Sequence, residues 1–293
     1  SHSTTFPKTV FVVSWDFASG VNANNNIKTS DVWTVFRILI FNSMFCIFLK
    51  VNVFILSAVQ SGGHEVVILH GPKLLENRRE MKRTHQTDTE EWFNAISHGM
   101  TALAATLGFV LLVILGVSSE KNLSLFSAVV YGLSLVLLYT FSMLYHGLRQ
   151  GKAKKVFHIL DHCGIYLLIA GSYTPILLLS VGGTTGWVIF GIQWAFACIG
   201  IVIKVFYTGK YDLISTLMYA VMGWMIVIRW QDLVDAIPSP ALTLLIAGGI
   251  SYTVGIVFYL LDTRMKYLHF VWHLFVMAGS VLHFIMIVKY VIV

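Results

Sequence analysis

Charged residues are scarce in this sequence. Only 12% of its 293 residues are Asp, Glu, Lys or Arg, while 57% are hydrophobic. An ordinary soluble domain has roughly 25% charged residues, so a soluble fold of this composition could not cover its surface. Disorder, collagen and a secreted disulfide framework are excluded on the same grounds. We therefore predict an all-α, polytopic membrane protein.

Cysteine is also rare, and a nucleic-acid-binding patch is missing. Cys46, Cys163 and Cys198 are scattered in apolar stretches and form no Cys-x-x-Cys pair. They predict small buried side chains and no disulfide framework. No cluster of Lys and Arg with interleaved aromatic residues indicates binding of nucleic acid. In a membrane protein, a net charge of +6 first indicates which loops lie on the cytoplasmic side, because basic residues concentrate there.

Long apolar segments are abundant, and seven of them follow one another from residue 92 onward. Each has the length of about 20 residues that a helix needs to cross a bilayer. The connections between them are short, so the sequence predicts a seven-transmembrane helix bundle. The predicted spans are 94–117, 123–147, 159–181, 185–207, 211–230, 240–261 and 268–291.

Lysine and arginine are distributed unequally over the two sides of this bundle. From Met81 onward, only Lys121, Arg229 and Lys289 flank one side, whereas ten basic residues flank the other. Cytoplasmic loops carry the excess of positive charge, so we predict a cytoplasmic N-terminus and an external C-terminus. The ten residues are Lys82, Arg83, Arg149, Lys152, Lys154, Lys155, Lys204, Lys210, Arg264 and Lys266.

The first 80 residues differ from the rest. They hold an Asn-rich stretch and an apolar stretch at about 32–59 that Arg37 and Lys50 interrupt. That stretch is an additional poor span, an interfacial helix or part of a non-native upstream extension. The third possibility arises because Met81 and the two basic residues after it resemble a translation start. We expect residues 81–293 to form the seven-span domain.

Histidines gather at one depth of the predicted bundle. Seven of them lie from the first predicted span (94–117) onward, and only His283 lies deep, ten residues beyond His273. Ionisable residues within spans usually face the bundle interior or a cavity. The six predicted at the cytoplasmic side are His98, His146, His158, His162, His269 and His273.

The spacing of these histidines indicates a metal site. His269 and His273 are four residues apart, so both rings project from one helix face, as two imidazoles must to bind one ion. Ser142 and His146 have the same spacing, and Asp161 is predicted at the same depth. Three histidines and one carboxylate can thus converge. Three protein ligands with an open fourth position are typical of catalytic zinc.

Alternatives to a metal site stay open for these residues. The pair on the last span can act as a pH sensor, or histidines can hold haem, although haem ligands are expected deeper and on facing helices. His158 and His162, like Glu91 and His98, can simply be helix-end residues. His283 is expected to be a hydrogen-bonded core residue or to line a cavity.

The motifs of the seven-span domain resemble those of the hemolysin III family. The resemblance begins at about Glu91 and covers some 200 residues and all seven spans. This family is grouped with the progestin and adipoQ receptors and, more loosely, with the alkaline ceramidases. The matching motifs are Glu91-Trp-Phe-Asn94-Ala-Ile-Ser97-His98-Gly99, Ser142-x-x-x-His146, Leu160-Asp161-His162, the segment 165–175 and His269-x-x-x-His273.

The resemblance implies roles for particular residues. Relatives bind Zn²⁺ near the cytoplasmic face through three histidines, which match His146, His269 and His273. Asp161 matches the aspartate that is expected to contact the zinc-bound water in relatives, and Ser142 matches a serine beside the site. Glu91 and His98 are further candidates, because the outer nitrogen of a metal-bound histidine usually donates to a carboxylate or carbonyl.

The favoured hypothesis is a zinc-dependent hydrolase that cleaves an amide or ester of a membrane lipid from the inner leaflet of the plasma membrane. Zinc lowers the pKa of bound water toward about 7, so Asp161 can serve as general base. Ser142 can stabilise the developing oxyanion.

A pore-forming cytolysin and a ligand-sensing receptor are the alternatives, and zinc would be structural in either. A pore needs a polar stripe through the whole bilayer. The outer halves of the predicted spans are nearly all apolar, so a pore would require a homo-oligomer. Short loops favour a bacterial-type member.

Overall fold

The structure is a computed structural model that describes residues 86–209 and 211–293. The predicted N-terminal extension, with its apolar stretch at 32–59, lies outside the described residues. Within these two ranges every regular element is a helix and none is a strand. The predicted all-α class is therefore confirmed.

Seven of the described helices are long and apolar enough to cross a membrane, which confirms the seven-span bundle. Helices suit this environment because the bilayer core offers no water, and a helix satisfies its own backbone hydrogen bonds. Two helices end in π-helical turns, Ile176–Val181 and Ile287–Ile292, and one contains a 3₁₀ segment, Met225–Arg229. The spanning helices are α1 (Asp88–Ser118), α2 (Ser124–Gly147), α3 (Lys152–Val181), α4 (Gly183–Tyr207), α5 (Asp212–Ala236), α6 (Ser239–Leu261) and α7 (Leu268–Ile292).

Three predicted helix ends are displaced by several residues. α1 begins at Asp88 and not at 94, α3 begins at Lys152 and not at 159, and α5 ends at Ala236 and not at 230. Hydropathy detects only the apolar part of a helix, whereas polar caps extend it. At α1, the Thr87 hydroxyl accepts the Glu90 amide (3.3 Å) and the Glu90 carboxylate accepts the Thr87 amide (2.8 Å), which is a capping box.

Consecutive helices pack as antiparallel neighbours. The most extensive pairs are α1 with α2, α2 with α3, and α6 with α7, and α7 also packs against α1. Glu90 strengthens this last contact, because its carboxylate also accepts the backbone amide of Tyr267, which immediately precedes α7. The first turn of α1 therefore fixes the beginning of α7.

The end of the bundle at which α1, α3, α5 and α7 begin is called the histidine end. Lys154 and Lys204 were predicted as loop charges at this end, but they lie inside α3 and α4 and are only 6% and 1% exposed. Each is paired with a carboxylate, Lys154 with Glu91 (3.0 Å) and Lys204 with Asp212 (2.9 Å). Pairing makes the burial of such a charge tolerable. The orientation of the termini stays a prediction.

Candidate metal centre

Three histidines from two helices meet at the histidine end. His146 lies in the last turn of α2, and His269 and His273 lie in the first two turns of α7. Their ring centroids are 4.7–5.2 Å apart. One ligand atom of each lies within 4.8 Å of the others. The three histidines predicted from the sequence are thus brought together in a group that can hold a metal ion.

Two of these rings are oriented by carboxylates. His146 Nδ1 donates to Glu91 Oε2 (2.7 Å), and His269 Nδ1 donates to Asp262 Oδ2 (2.9 Å). This leaves Nε2 of each ring available. Metal-ligating histidines are held in this way, with the outer N–H on a carboxylate and the other nitrogen on the ion.

Unpartnered buried nitrogens support the same interpretation. His146 Nε2 and His273 Nδ1 are buried, and neither has a hydrogen-bond partner among the described residues. A buried polar atom without a partner is costly, and a ligand shared by these two nitrogens would remove that cost. A set of imidazole nitrogens suits Zn, Cu, Fe or Ni. The donor set therefore fits a transition-metal ion without fixing its identity.

Asp161 and Ser142 lie beside the three histidines. The Asp161 carboxyl in α3 neighbours the Ser142 hydroxyl in α2 and lies within electrostatic reach of His269. Ser142 is buried one turn before His146, and Asp161 is half-buried. Within the described chain, Asp161 is not one of the grouped metal-binding side chains. It therefore lies next to the histidine group and not in it.

The two further candidates, Glu91 and His98, contact the site in different ways. Glu91 is hydrogen-bonded to His146, as described above. The His98 ring stacks on that of His273, with centroids 3.6 Å apart and planes at 15°, and meets the edge of Tyr139 at 5.0 Å. Both His98 nitrogens are buried and unpartnered among the described residues. His98 thus contacts His273 through the face of its ring and not through a hydrogen bond.

The remaining histidines stand apart from this group. His162 Nδ1 donates to the backbone carbonyl of His158 (2.9 Å), and the His158 ring stacks on Tyr145 (4.8 Å). His283 Nε2 donates to the carbonyl of Leu245 (3.1 Å), as expected of a hydrogen-bonded core residue.

Two residues contribute to the site without any signal in the sequence. Asp262 lies in the turn after α6, and only the path of that turn brings it to His269, so no residue spacing indicates it. Lys154 pairs with Glu91, but its place in a basic run made it look like a cytoplasmic loop residue.

The chain has relatives of known name. The family model described as "Haemolysin-III related" matches residues 86–284. "Hemolysin-3" of Bacillus cereus is 39% identical over 213 residues, which are 73% of this chain and 97% of the relative. "Hemolysin-3 homolog" of Bacillus subtilis (strain 168) is 38% identical, over 70% of this chain and 95% of the relative.

A more distant relative is human. "Monocyte to macrophage differentiation factor" of Homo sapiens is 28% identical, over 71% of this chain and 87% of the relative. No solved structure matches the chain with significance. The matched family model covers six spanning helices in full, most of α7 and the three grouped histidines. The chain belongs to the haemolysin III family of multi-pass membrane proteins.

Proposed function

We propose that this protein is a zinc-dependent membrane hydrolase that cleaves an amide or ester bond of a lipid. The observation that carries the proposal is the convergence of His146, His269 and His273 within 4.8 Å of one another. A carboxylate and a hydroxyl that the histidines do not use lie beside them. This is the inventory that a metal-assisted hydrolysis requires.

Zinc is the ion that best suits the site. Three neutral protein ligands and an open position are the usual arrangement of catalytic zinc. When bound, Zn²⁺ supplies Lewis acidity to a carbonyl and lowers the pKa of water. Glu91 and Asp262 would leave Nε2 of His146 and of His269 free to hold the ion, since each carboxylate occupies Nδ1 of its ring.

Asp161 and Ser142 supply the proton chemistry in this proposal. The Asp161 carboxylate would orient the attacking water, take its proton as general base and return that proton to the departing amine or alcohol. The Ser142 hydroxyl donates either to that carboxylate or to the oxyanion that develops on the substrate carbonyl. Their closeness to each other and to His269 supports these roles.

The place of the site at one end of the bundle favours a membrane lipid as substrate. The histidine end lies at the boundary between the spanning helices and their connections, where a lipid presents its polar headgroup. With the predicted orientation, the lipid comes from the inner leaflet of the plasma membrane.

Metal analysis combined with turnover tests the proposal. Purified wild-type protein should contain about one equivalent of zinc and release fatty acid from a membrane lipid extract, measured by mass spectrometry. His273→Ala should lose both metal and turnover. Asp161→Ala should keep the metal and lose turnover. Full activity of the metal-free protein would contradict the proposal.

A pore-forming cytolysin is the second candidate, and the names "Hemolysin-3" and "Hemolysin-3 homolog" of two relatives favour it. In that case the metal stabilises the bundle, and homo-oligomers form the pore. Dye release from pure lipid vesicles distinguishes the two functions. Leakage that persists in the His146→Ala and His273→Ala proteins supports the pore, whereas intact vesicles support the hydrolase.

A further inference from the structure

Lys154 is the centre of a contact that joins the first three helices. It is almost fully buried in the first turn of α3. Its Nζ donates to Glu91 Oε1 of α1 (3.0 Å) and to the carbonyl oxygen of Leu148 after α2 (3.3 Å). The same ammonium lies 4.9 Å from the centre of the Tyr145 ring. These partners hold the ammonium in one place.

Glu91 divides its two oxygens between this lysine and the metal centre. Oε1 accepts from Lys154, and Oε2 accepts from His146 Nδ1 (2.7 Å). The Glu91 side chain is 20% exposed and has three rotatable bonds, so without a second partner its carboxylate can turn toward water. The ammonium restricts that freedom, because the Glu91 carboxylate must lie between Lys154 and His146 to accept from both.

We propose that Lys154 is a positioning residue of the metal centre, which holds the Glu91 carboxylate in the rotamer that orients His146. The proposal rests on the metal-binding role of the three histidines given under Proposed function. Lys154 is not a ligand, and it acts through Glu91 alone.

His269, the other histidine that a carboxylate orients, has no such lysine behind its carboxylate in the described part of the chain. Asp262 orients His269, but within residues 86–209 and 211–293 no lysine or arginine pairs with Asp262. The ammonium therefore acts on one ligand of the three, and its loss should weaken the centre without removing it. Loss of a hydrogen-bonding partner of a metal ligand typically lowers metal affinity about 10- to 100-fold.

The test measures metal affinity in the full-length protein in detergent, stripped of metal and titrated with Zn²⁺ against a chelator. Lys154→Met keeps the apolar stem and removes the ammonium, and we expect affinity to fall about 10-fold. Lys155→Met is the matched control, because Lys155 is exposed in the same turn, and it should bind like wild type. The absorption spectrum of bound Co²⁺ serves as a second readout, since it reports ligand geometry.

A double-mutant cycle separates positioning from a merely structural role. Glu91→Ala alone should weaken Zn²⁺ binding, and Lys154→Met should add nothing further in the Glu91→Ala background. A structural role that bypasses Glu91, through the Leu148 carbonyl or the Tyr145 ring, would instead give independent losses that multiply. Should Lys154→Met fail to fold, Lys154→Gln takes its place, with the same expected loss and the same dependence on Glu91.

Each outcome decides a definite point. Wild-type affinity in the folded Lys154 variant, or multiplying losses in the cycle, overturns the positioning role and leaves the proposed function intact. A wild-type protein that binds no metal overturns both. If Lys154→Met weakens Zn²⁺ binding in the wild-type background and has no effect in the Glu91→Ala background, the positioning role is supported.

Discussion

His98 touches the metal centre only through the face of its ring. It stacks on His273 and has no hydrogen-bond partner among the described residues. His98→Ala should therefore lower the free energy of unfolding by about 2 kcal/mol through the cavity it leaves, and should loosen the His273 ring. His98→Phe keeps an aromatic face, so it should retain both stability and Zn²⁺ affinity.

Unfolding in detergent and Zn²⁺ titration of the two variants test this expectation. Equal loss of metal binding in both would mean that a His98 nitrogen, and not the ring face, supports the centre. Retained metal with lost turnover in His98→Phe would assign a nitrogen to the substrate.

Asp262 orients His269 by a single hydrogen bond of 2.9 Å. Asp262→Ala should therefore lower Zn²⁺ affinity about 10- to 100-fold while the bundle stays folded. Chelator competition measures the change. Asp235→Ala is the control, since it removes the same charge from an exposed site at the opposite end of the bundle. An unchanged affinity in Asp262→Ala would show that His269 needs no such support.

The grouping of His146, His269 and His273 could be predicted from the sequence at this scale, but not all of the residues that orient them. His269 and His273 are four residues apart on one helix, and helical geometry alone places them together. Asp262 reaches His269 across a turn whose path no residue spacing specifies. The pairing of Lys154 with Glu91 could not be predicted, because a buried, paired lysine and a loop lysine look alike in a sequence.

At the scale of elements, glycines control how closely α6 approaches α7. A Cβ on Gly248 would lie 2.3 Å from the His283 ring, whereas a Cβ on Gly249 meets nothing within 4 Å. Gly248→Ala should therefore destabilise the protein by about 1–3 kcal/mol through overpacking.

The neighbouring residue provides a matched control. Gly249→Ala should be neutral or stabilise the helix by up to about 1 kcal/mol, because alanine is the better helix former. Thermal unfolding in detergent compares the two variants. Equal effects would mean that α6 and α7 are not in close contact at this position.

Helix ends mark the limit of what hydropathy predicts at this scale. Apolar length gives the part of a helix that lies in lipid, so most ends agree with the structure. The beginning of α1 is set by a polar capping box at Thr87 instead, and the first turn of α3 carries the buried pairing of Lys154. Such interactions depend on three-dimensional partners that hydropathy does not detect.

At the scale of the whole molecule, alternation of seven spans explains why the polar residues meet. Odd-numbered helices begin and even-numbered helices end at the same side, so His146 and His273 had to lie at one end. Depth alone did not distinguish them from His158 and His162, which form their own contacts. To choose among histidines of equal depth, one must know which face of each helix points into the bundle. The motifs indicated that orientation, and the hydropathy pattern did not.

The predicted orientation places the metal centre at the cytoplasmic face. Exposed basic residues still favour the histidine end, namely Arg149, Lys152, Lys155, Arg264 and Lys266, although Lys154 and Lys204 are buried and add no exposed charge. Single cysteines in a protein whose native cysteines are replaced by alanine can test this. With a membrane-impermeant maleimide on intact cells, Glu120→Cys should be labelled, because Glu120 is exposed at the opposite end.

Lys266→Cys, at an exposed position in the turn before α7 at the histidine end, should react only after the cells are permeabilised. The reverse pattern would place the centre at the outer face, and an inner-leaflet lipid could then not be its substrate. Labelling of both sites in intact cells would indicate a permeable assembly and favour the cytolysin. The orientation experiment thus bears on function as well as topology, because the two proposed activities predict different access to the same end of the bundle.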